Sequence, residues 1–136
     1  METTRVVIDT DILIDILRGV GETVDFLGEM ENRGYLLATT IVNAFELYHG
    51  AYKSKRQEEN LGSTKKLLKR LIVLSMSLKS AEDAGRIYAE LETKGQPIGL
   101  KDAIMGAIAL TGGYALATRN VEHLQRILGL NIIPAP

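Results

Sequence analysis

Three carboxylates, Asp9, Glu46 and Asp102, stand in the segments VVIDTDILIDIL, TTIVNAFELYHGA and IGLKDAIMGAIAL, each where an apolar run gives out or a helix begins. They are far apart in sequence but fall at the same kind of joint. In an open α/β sheet such joints converge on one edge, at the carboxyl ends of the strands. Acids gathered there repel one another unless a cation neutralises them. Carboxylate oxygens without thiolates or paired histidines suit a hard divalent ion, Mg²⁺ or Mn²⁺. A Mg²⁺ held by one or two carboxylates keeps several waters, can activate one of them and stabilises charge on a phosphoryl group. Phosphodiester hydrolysis is the chemistry that follows.

Each acid also has a plainer reading. Asp9 can cap the helix that follows it, a role open equally to Thr10 or Asp11. Asp11 and Asp15 read as solvent-facing acids favoured by the helix dipole. Asn43-Ala44-Phe45-Glu46 satisfies a capping-box pattern, which would account for Glu46 without any chemistry. Glu46 and His49 also form a Glu-x-x-His element, but a di-iron bundle needs two copies and the chain has one. His49 and His123 read as ordinary histidines, because neither has a second histidine at zinc-ligand spacing. Asp102 opens a helix whose small face, Met105, Gly106 and Ala109, can lie close to a sheet. A first-turn acid is also simply good helix chemistry. One such acid is weak evidence, but three at equivalent joints would require three separate coincidences.

The elements that must position these acids follow from periodicity. Short β-branched or apolar runs at 5–8, 35–38, 72–76 and 114–117 read as strands, with 131–133 a short edge strand before Pro134. Helical spacing appears at 11–18, 22–32 and from Thr39 or Thr40 onward, where Ile41, Ala44, Phe45, Tyr48 and Tyr52 form the expected inner face. Further helices are expected within 53–70, over 80–94, 99–110 and 120–128. Continuous apolar strands separated by helices indicate a parallel sheet covered on both faces. The expected fold is therefore α/β, a three-layer α/β/α arrangement around a mainly parallel sheet of four to five strands, with residues 1–136 forming a single domain.

Composition narrows the function classes. A chain of 136 residues can bury roughly 70% of its unfolded surface. With 46% hydrophobic and 24% charged residues it has no signature of disorder. The net charge of −1 carries no overall field for nucleic acid, so any such ligand needs a local basic patch. The absence of cysteine excludes disulfides, thiolate zinc sites and cysteine nucleophiles, and is compatible with a reducing cytoplasm. Met1 to Arg5 leads directly into a short apolar run, so no secretory signal is expected. The most membrane-like stretch, 104–117, is shorter than the roughly 20 residues of a spanning helix and is broken by Gly112-Gly113. A cytoplasmic protein without a membrane partner is the expectation.

The ordered set VVIDTDILIDILRG, TTIVNAFELYHGA, IGLKDAIMGAIAL and YALATRNVEHLQRI resembles the PIN-domain ribonucleases, most closely the VapC-type toxins of toxin–antitoxin pairs, over nearly the whole chain. The resemblance implies a Mg²⁺-dependent endoribonuclease, with Mn²⁺ as a substitute, whose metal is held chiefly by Asp9 and Asp102. Glu46 would complete the acidic pocket. It also implies a homodimer and a cognate antitoxin, a segment of which covers the pocket. Many members of the family place a further acid just after the fourth strand, where this chain reads Thr118-Arg119-Asn120. Asn120 brings no charge, so one metal is expected, with the amide oxygen orienting a water. Thr118 and Arg119 read either as contacts to substrate phosphate or as a capped helix with a surface arginine.

Basic residues cluster at Lys53, Lys55 and Arg56 and again at Lys65, Lys66, Lys69 and Arg70, as a solvated face or as a rim tracking RNA phosphates. A signalling receiver needs an acid ending the third strand, and 72–78 has none. Neither a G-x-G-x-x-G nor a Walker-type loop is present for a nucleotide. The remaining alternative is a catalytically silent PIN-like module that binds RNA or protein.

Overall fold

The computed structural model describes residues 3–136; Met1 and Glu2 lie outside the described residues. The elements run β1 (Arg5–Ile8), α1 (Thr10–Leu17), α2 (Gly21–Asn32), β2 (Leu36–Thr40), α3 (Ile41–Lys53), α4 (Gln57–Lys69), β3 (Ile72–Leu74), α5 (Leu78–Thr93), α6 (Leu100–Gly112), β4 (Ala115–Thr118), α7 (Val121–Leu124) and β5 (Ile132–Pro134). The sheet has the order β3-β2-β1-β4-β5 and every pairing is parallel. Proline is tolerated in β5 because that strand lies on an edge.

Alternation along the strands divides the interior into two cores. Val7, Ala38 and Leu116 pack with α5, α6 and the α7 region through Ile87, Met105 and Leu124. Their neighbours Val6, Ile8, Leu37 and Ala117 pack with α1–α4 through Ile12, Leu27, Leu47 and Leu67. A strand buried on both faces has no polar side to show, which is why these runs lack polar alternation. The three-layer α/β/α fold expected from the sequence is the one observed.

The chain turns in opposite directions from β1, through β2 and β3 on one side and through β4 and β5 on the other. This reversal opens a crevice beyond the carboxyl ends of β1 and β4. Within the core α6 approaches its neighbours closely: a β-carbon at Gly106 would stand 2.4 Å from Cδ1 of Ile127.

Several local expectations are corrected. The inner face of α3 is Asn43, Ala44, Leu47 and Ala51, while Ile41, Phe45 and Tyr52 are exposed. A polar side chain took the inward position because Asn43 finds partners there, and an apolarity count does not register that. Asn43 is also not the start of a capping box ending at Glu46. It is the third residue of a box whose cap is Thr40, accepting from the Thr40 N–H at 3.2 Å and the Thr40 hydroxyl at 2.6 Å. A second box between Ser77 and Ser80 starts α5 two residues before Ser80. The helix expected over 120–128 is only Val121–Leu124, after which the N–H groups of Arg126 and Ile127 bond three residues back in tighter turns.

Asp83 locks α5 to α6. Its carboxylate accepts from the Thr111 hydroxyl at 2.9 Å and Lys79 at 3.2 Å, with Arg86 at 3.7 Å. These donors, the Thr111 hydroxyl foremost, hold its pKa below the ordinary 3.8. A lowered folded-state pKa means that the stabilisation is complete above the unfolded value and is lost as pH falls through the folded one. Asp83→Asn should therefore lower the urea midpoint at neutral pH, and its difference from wild type should shrink as pH drops below the ordinary carboxylate range. A pH-independent difference would show that charge is not what Asp83 contributes.

Candidate active site

Asp9 immediately follows β1, is 6% exposed and caps α1 by accepting the Thr10 N–H at 2.7 Å. The same carboxylate accepts from the Thr118 hydroxyl at 2.8 Å and from Lys101 at 3.2 Å. Capping and a place in the site are thus not alternatives for this residue. Thr118 ends β4 fully buried, and its oxygen in turn accepts the Asn120 N–H at 3.0 Å. It is therefore unable to reach a substrate phosphate, because both its donor and its acceptor capacity are turned inward.

Glu46 reaches the crevice from the second turn of α3 and accepts from the Thr10 hydroxyl at 2.6 Å. The Thr10 oxygen is itself fixed by the Asn43 amide at 2.8 Å. Asn43 thereby links the cap of α3 to the start of α1 and, through Thr10, to Glu46. Asp102, in the first turn of α6, accepts from the Asn120 amide nitrogen at 3.3 Å. The Asn120 amide oxygen faces His123 Nδ1 at 2.7 Å. A carboxylate calls for a donor, so the NH₂ group turns toward Asp102 and leaves the oxygen for the imidazole. His123 is an exposed histidine, as expected, and it contacts this network at its edge.

The three acids expected from the sequence do come together, and the group that unites them is Lys101. Its ammonium stands 3.2 Å from Asp9, 3.3 Å from Asp102 and 3.6 Å from Glu46. Burial alone would pull this amine's pKa down, but the charges of Asp9, Asp102 and Glu46 outweigh it and raise the pKa above the ordinary 10.5. Lys101 therefore carries its proton across the whole range in which the protein would be studied. The signal for it was present in the sequence, a lysine directly preceding Asp102, but adjacency along a chain does not reveal contact with Asp9 and Glu46.

Formally, three carboxylates against one ammonium leave the pocket net negative, which favours entry of a divalent cation. The donors are hard oxygens, as Mg²⁺ and Mn²⁺ require. Among the described residues, however, no three acidic or imidazole groups approach closely enough to form a metal site by themselves. The present spacing is matched to the ammonium.

Arg119 is committed elsewhere: its guanidinium pairs with Asp15, donates to Thr23 Oγ1 at 3.2 Å and meets the Pro136 carbonyl. Asp15 is therefore not a free solvent-facing acid, whereas Asp11 is exposed as expected. Glu122 is solvated at 81% side-chain exposure and does not replace the missing fourth acid. Of the basic residues, Arg56 pairs with Glu59 and Arg70 with Glu31, while Lys53, Lys55, Lys65, Lys66 and Lys69 are exposed. A groove of about 340 Å³ starts beside Glu46 and runs between α1, α3 and α4, past Ile14, Leu47, Ala51 and Thr64.

Acids at the switch point of a parallel β3-β2-β1-β4-β5 sheet define a nuclease-like α/β/α class, and comparison with known proteins makes the assignment specific. Residues 6–127 match the PIN domain. Ribonuclease VapC2 of Haemophilus influenzae (strain ATCC 51907) is 29% identical over 126 residues, 93% of this chain and 94% of that protein. The tRNA(fMet)-specific endonuclease VapC of Salmonella typhimurium is 35% identical over 91 residues, 67% of this chain and 69% of that protein. The crystal structure of VapBC2 from Rickettsia felis, bound to a DNA fragment from its promoter, contains a chain that superposes with a TM-score of 0.89 at 25% identity, covering 98% of this chain and 100% of that one. The chain belongs to the PIN-domain family, among its VapC ribonucleases.

The Thr10 hydroxyl serves two partners, Glu46 and Asn43, from a buried position. Thr10→Val should therefore destabilise the protein by about 1–3 kcal/mol, the cost of leaving buried polar groups unpaired. Thr10→Ser, which keeps the hydroxyl, should lose clearly less. Equal thermal unfolding of Thr10→Val and wild type would show that this network contributes nothing to the fold.

Proposed function

We propose that this chain, one PIN-like domain over residues 1–136, is the endoribonuclease toxin of a type II toxin–antitoxin pair. We further propose that Asp9 and Asp102 hold its divalent metal, Mg²⁺ with Mn²⁺ as substitute. The observation that carries the site assignment is the convergence of Asp9, Asp102 and Glu46 on a single cation, the Lys101 ammonium, within 3.2–3.6 Å. Family membership supports the reaction class.

The chain's own groups divide the work as follows. Asp9 is held in one orientation by the Thr10 N–H and the Thr118 hydroxyl, which leaves the pocket side of its Oδ1 for the cation. Asp102 is held by the Asn120 amide. Glu46, anchored by Thr10 and 39% exposed, shapes the open side of the pocket and helps to orient the water. When bound, the metal supplies a Lewis acid for the phosphoryl oxygens and a water of lowered pKa.

The substrate is RNA, cut in single-stranded or looped segments that can enter an open crevice. The partner is a cognate antitoxin, a reading supported by the VapBC2 assembly that contains the Rickettsia felis relative. A second copy of the chain is the other expected partner, and the exposed Ile41, Phe45 and Tyr52 stripe of α3 is apolar surface such a contact would cover. We place its action in the cytoplasm, where an RNA substrate would be met; no helix among the described residues is long and apolar enough to cross a membrane.

Purified wild type should cleave a mixed RNA substrate with Mg²⁺ and not with EDTA. Asp102→Asn should lose at least about a hundredfold in rate, in line with the several kcal/mol that metal-assisted charge stabilisation contributes. Equal cleavage in every lane would place the activity at another site. A folded, Mg²⁺-loaded wild type that cuts none of a varied set of RNAs would turn the reading to a silent binding module.

A further inference from the structure

Lys101 stands where a cation belongs but is not itself a metal ligand. Its ammonium lies within 3.2–3.6 Å of Asp9, Asp102 and Glu46, longer than the about 2.0–2.1 Å of a Mg²⁺–oxygen bond. The pocket in this state is therefore sized to an ammonium. A divalent ion sharing the same oxygens would lie within a few ångströms of that ammonium, and like charges at that distance repel strongly.

Among the described residues, the polar partners of the Lys101 ammonium are those three carboxylates. Lys101 is the second residue of α6, where the positive end of the helix dipole disfavours a cation. Its side chain is 33% exposed and rides on a flexible four-carbon stem, so a route to solvent is open. Neutralising the acids by another ion would remove the reason for it to stay.

We propose that Lys101 is a built-in counter-ion, holding the acidic pocket together until a divalent metal displaces it, so that metal entry and the outward movement of Lys101 are one event. The proposal rests on the reading of Asp9 and Asp102 as metal ligands. It adds that the chain carries its own competitor for that metal, which sets the metal concentration at which the site fills.

Mn²⁺ titration of EDTA-stripped, dialysed protein, followed by electron paramagnetic resonance of the free ion, tests it. Lys101→Met should bind Mn²⁺ about tenfold more tightly than wild type, melt at a lower temperature without metal and gain more on adding Mg²⁺. Lys101→Arg, which keeps the charge, should not bind more tightly than wild type. In wild type, acylation of the Lys101 amine, read by peptide mass spectrometry, should be slow without metal and rise as Mg²⁺ saturates; this arm needs no variant to fold. Unchanged or weaker Mn²⁺ affinity in a folded Lys101→Met overturns the proposal, as does a Lys101 amine that stays protected in saturating Mg²⁺. If Asp9→Asn and Asp102→Asn bind Mn²⁺ as tightly as wild type, the metal assignment itself fails, and the proposal with it.

Discussion

Mutual repulsion among Asp9, Glu46 and Asp102 is the constraint around which the carboxyl edge of this sheet is organised. Parallel topology with a reversal at β1 delivers all three to one crevice, where each would push the others apart. The ammonium of Lys101 offsets that repulsion from the centre. Around it, Thr10, Thr118 and Asn120 donate further hydrogen bonds to the carboxylate oxygens. Among the described residues no buried side-chain nitrogen or oxygen lacks a hydrogen-bond partner. A polar cluster is tolerable in a packed protein only under that condition.

On the proposed assignment, the same atoms would serve the fold and the chemistry. Asp9 caps α1 with the carboxylate that faces the pocket. Asn43 completes the cap of α3 and, through Thr10, fixes Glu46. Thr118 closes β4 while tethering Asp9 and the backbone of Asn120. Helix caps and site residues coincide because both need polar side chains at strand–helix joints, and in a parallel sheet those joints are where ligands bind.

Strand and helix order was legible because burial on both faces writes long apolar runs into the strands, and helices between them carry a 3.6-residue stripe. Reading failed where apolarity and burial part company. Ile41, Phe45 and Tyr52 look like core and face outward, while Asn43 looks like surface and is fully buried. Arg119 and Asp15, 104 positions apart, offered no local sign of their pairing. The terminal helix was overestimated because helical spacing does not distinguish an α-helix from a succession of tighter turns.

The sequence by itself determined the layer architecture and the identity of the three acids, since both follow from residue type and from position relative to a strand end. It also carried the family, through four motifs in order. Tertiary structure alone decided how the acids are held and by what. Lys101 lies 92 residues from Asp9 and 55 from Glu46 along the chain, and Thr118 lies 109 from Asp9. Charge neutralisation acts through space, over a few ångströms, so the residue that balances a pocket has no fixed relation in sequence to the residues it balances.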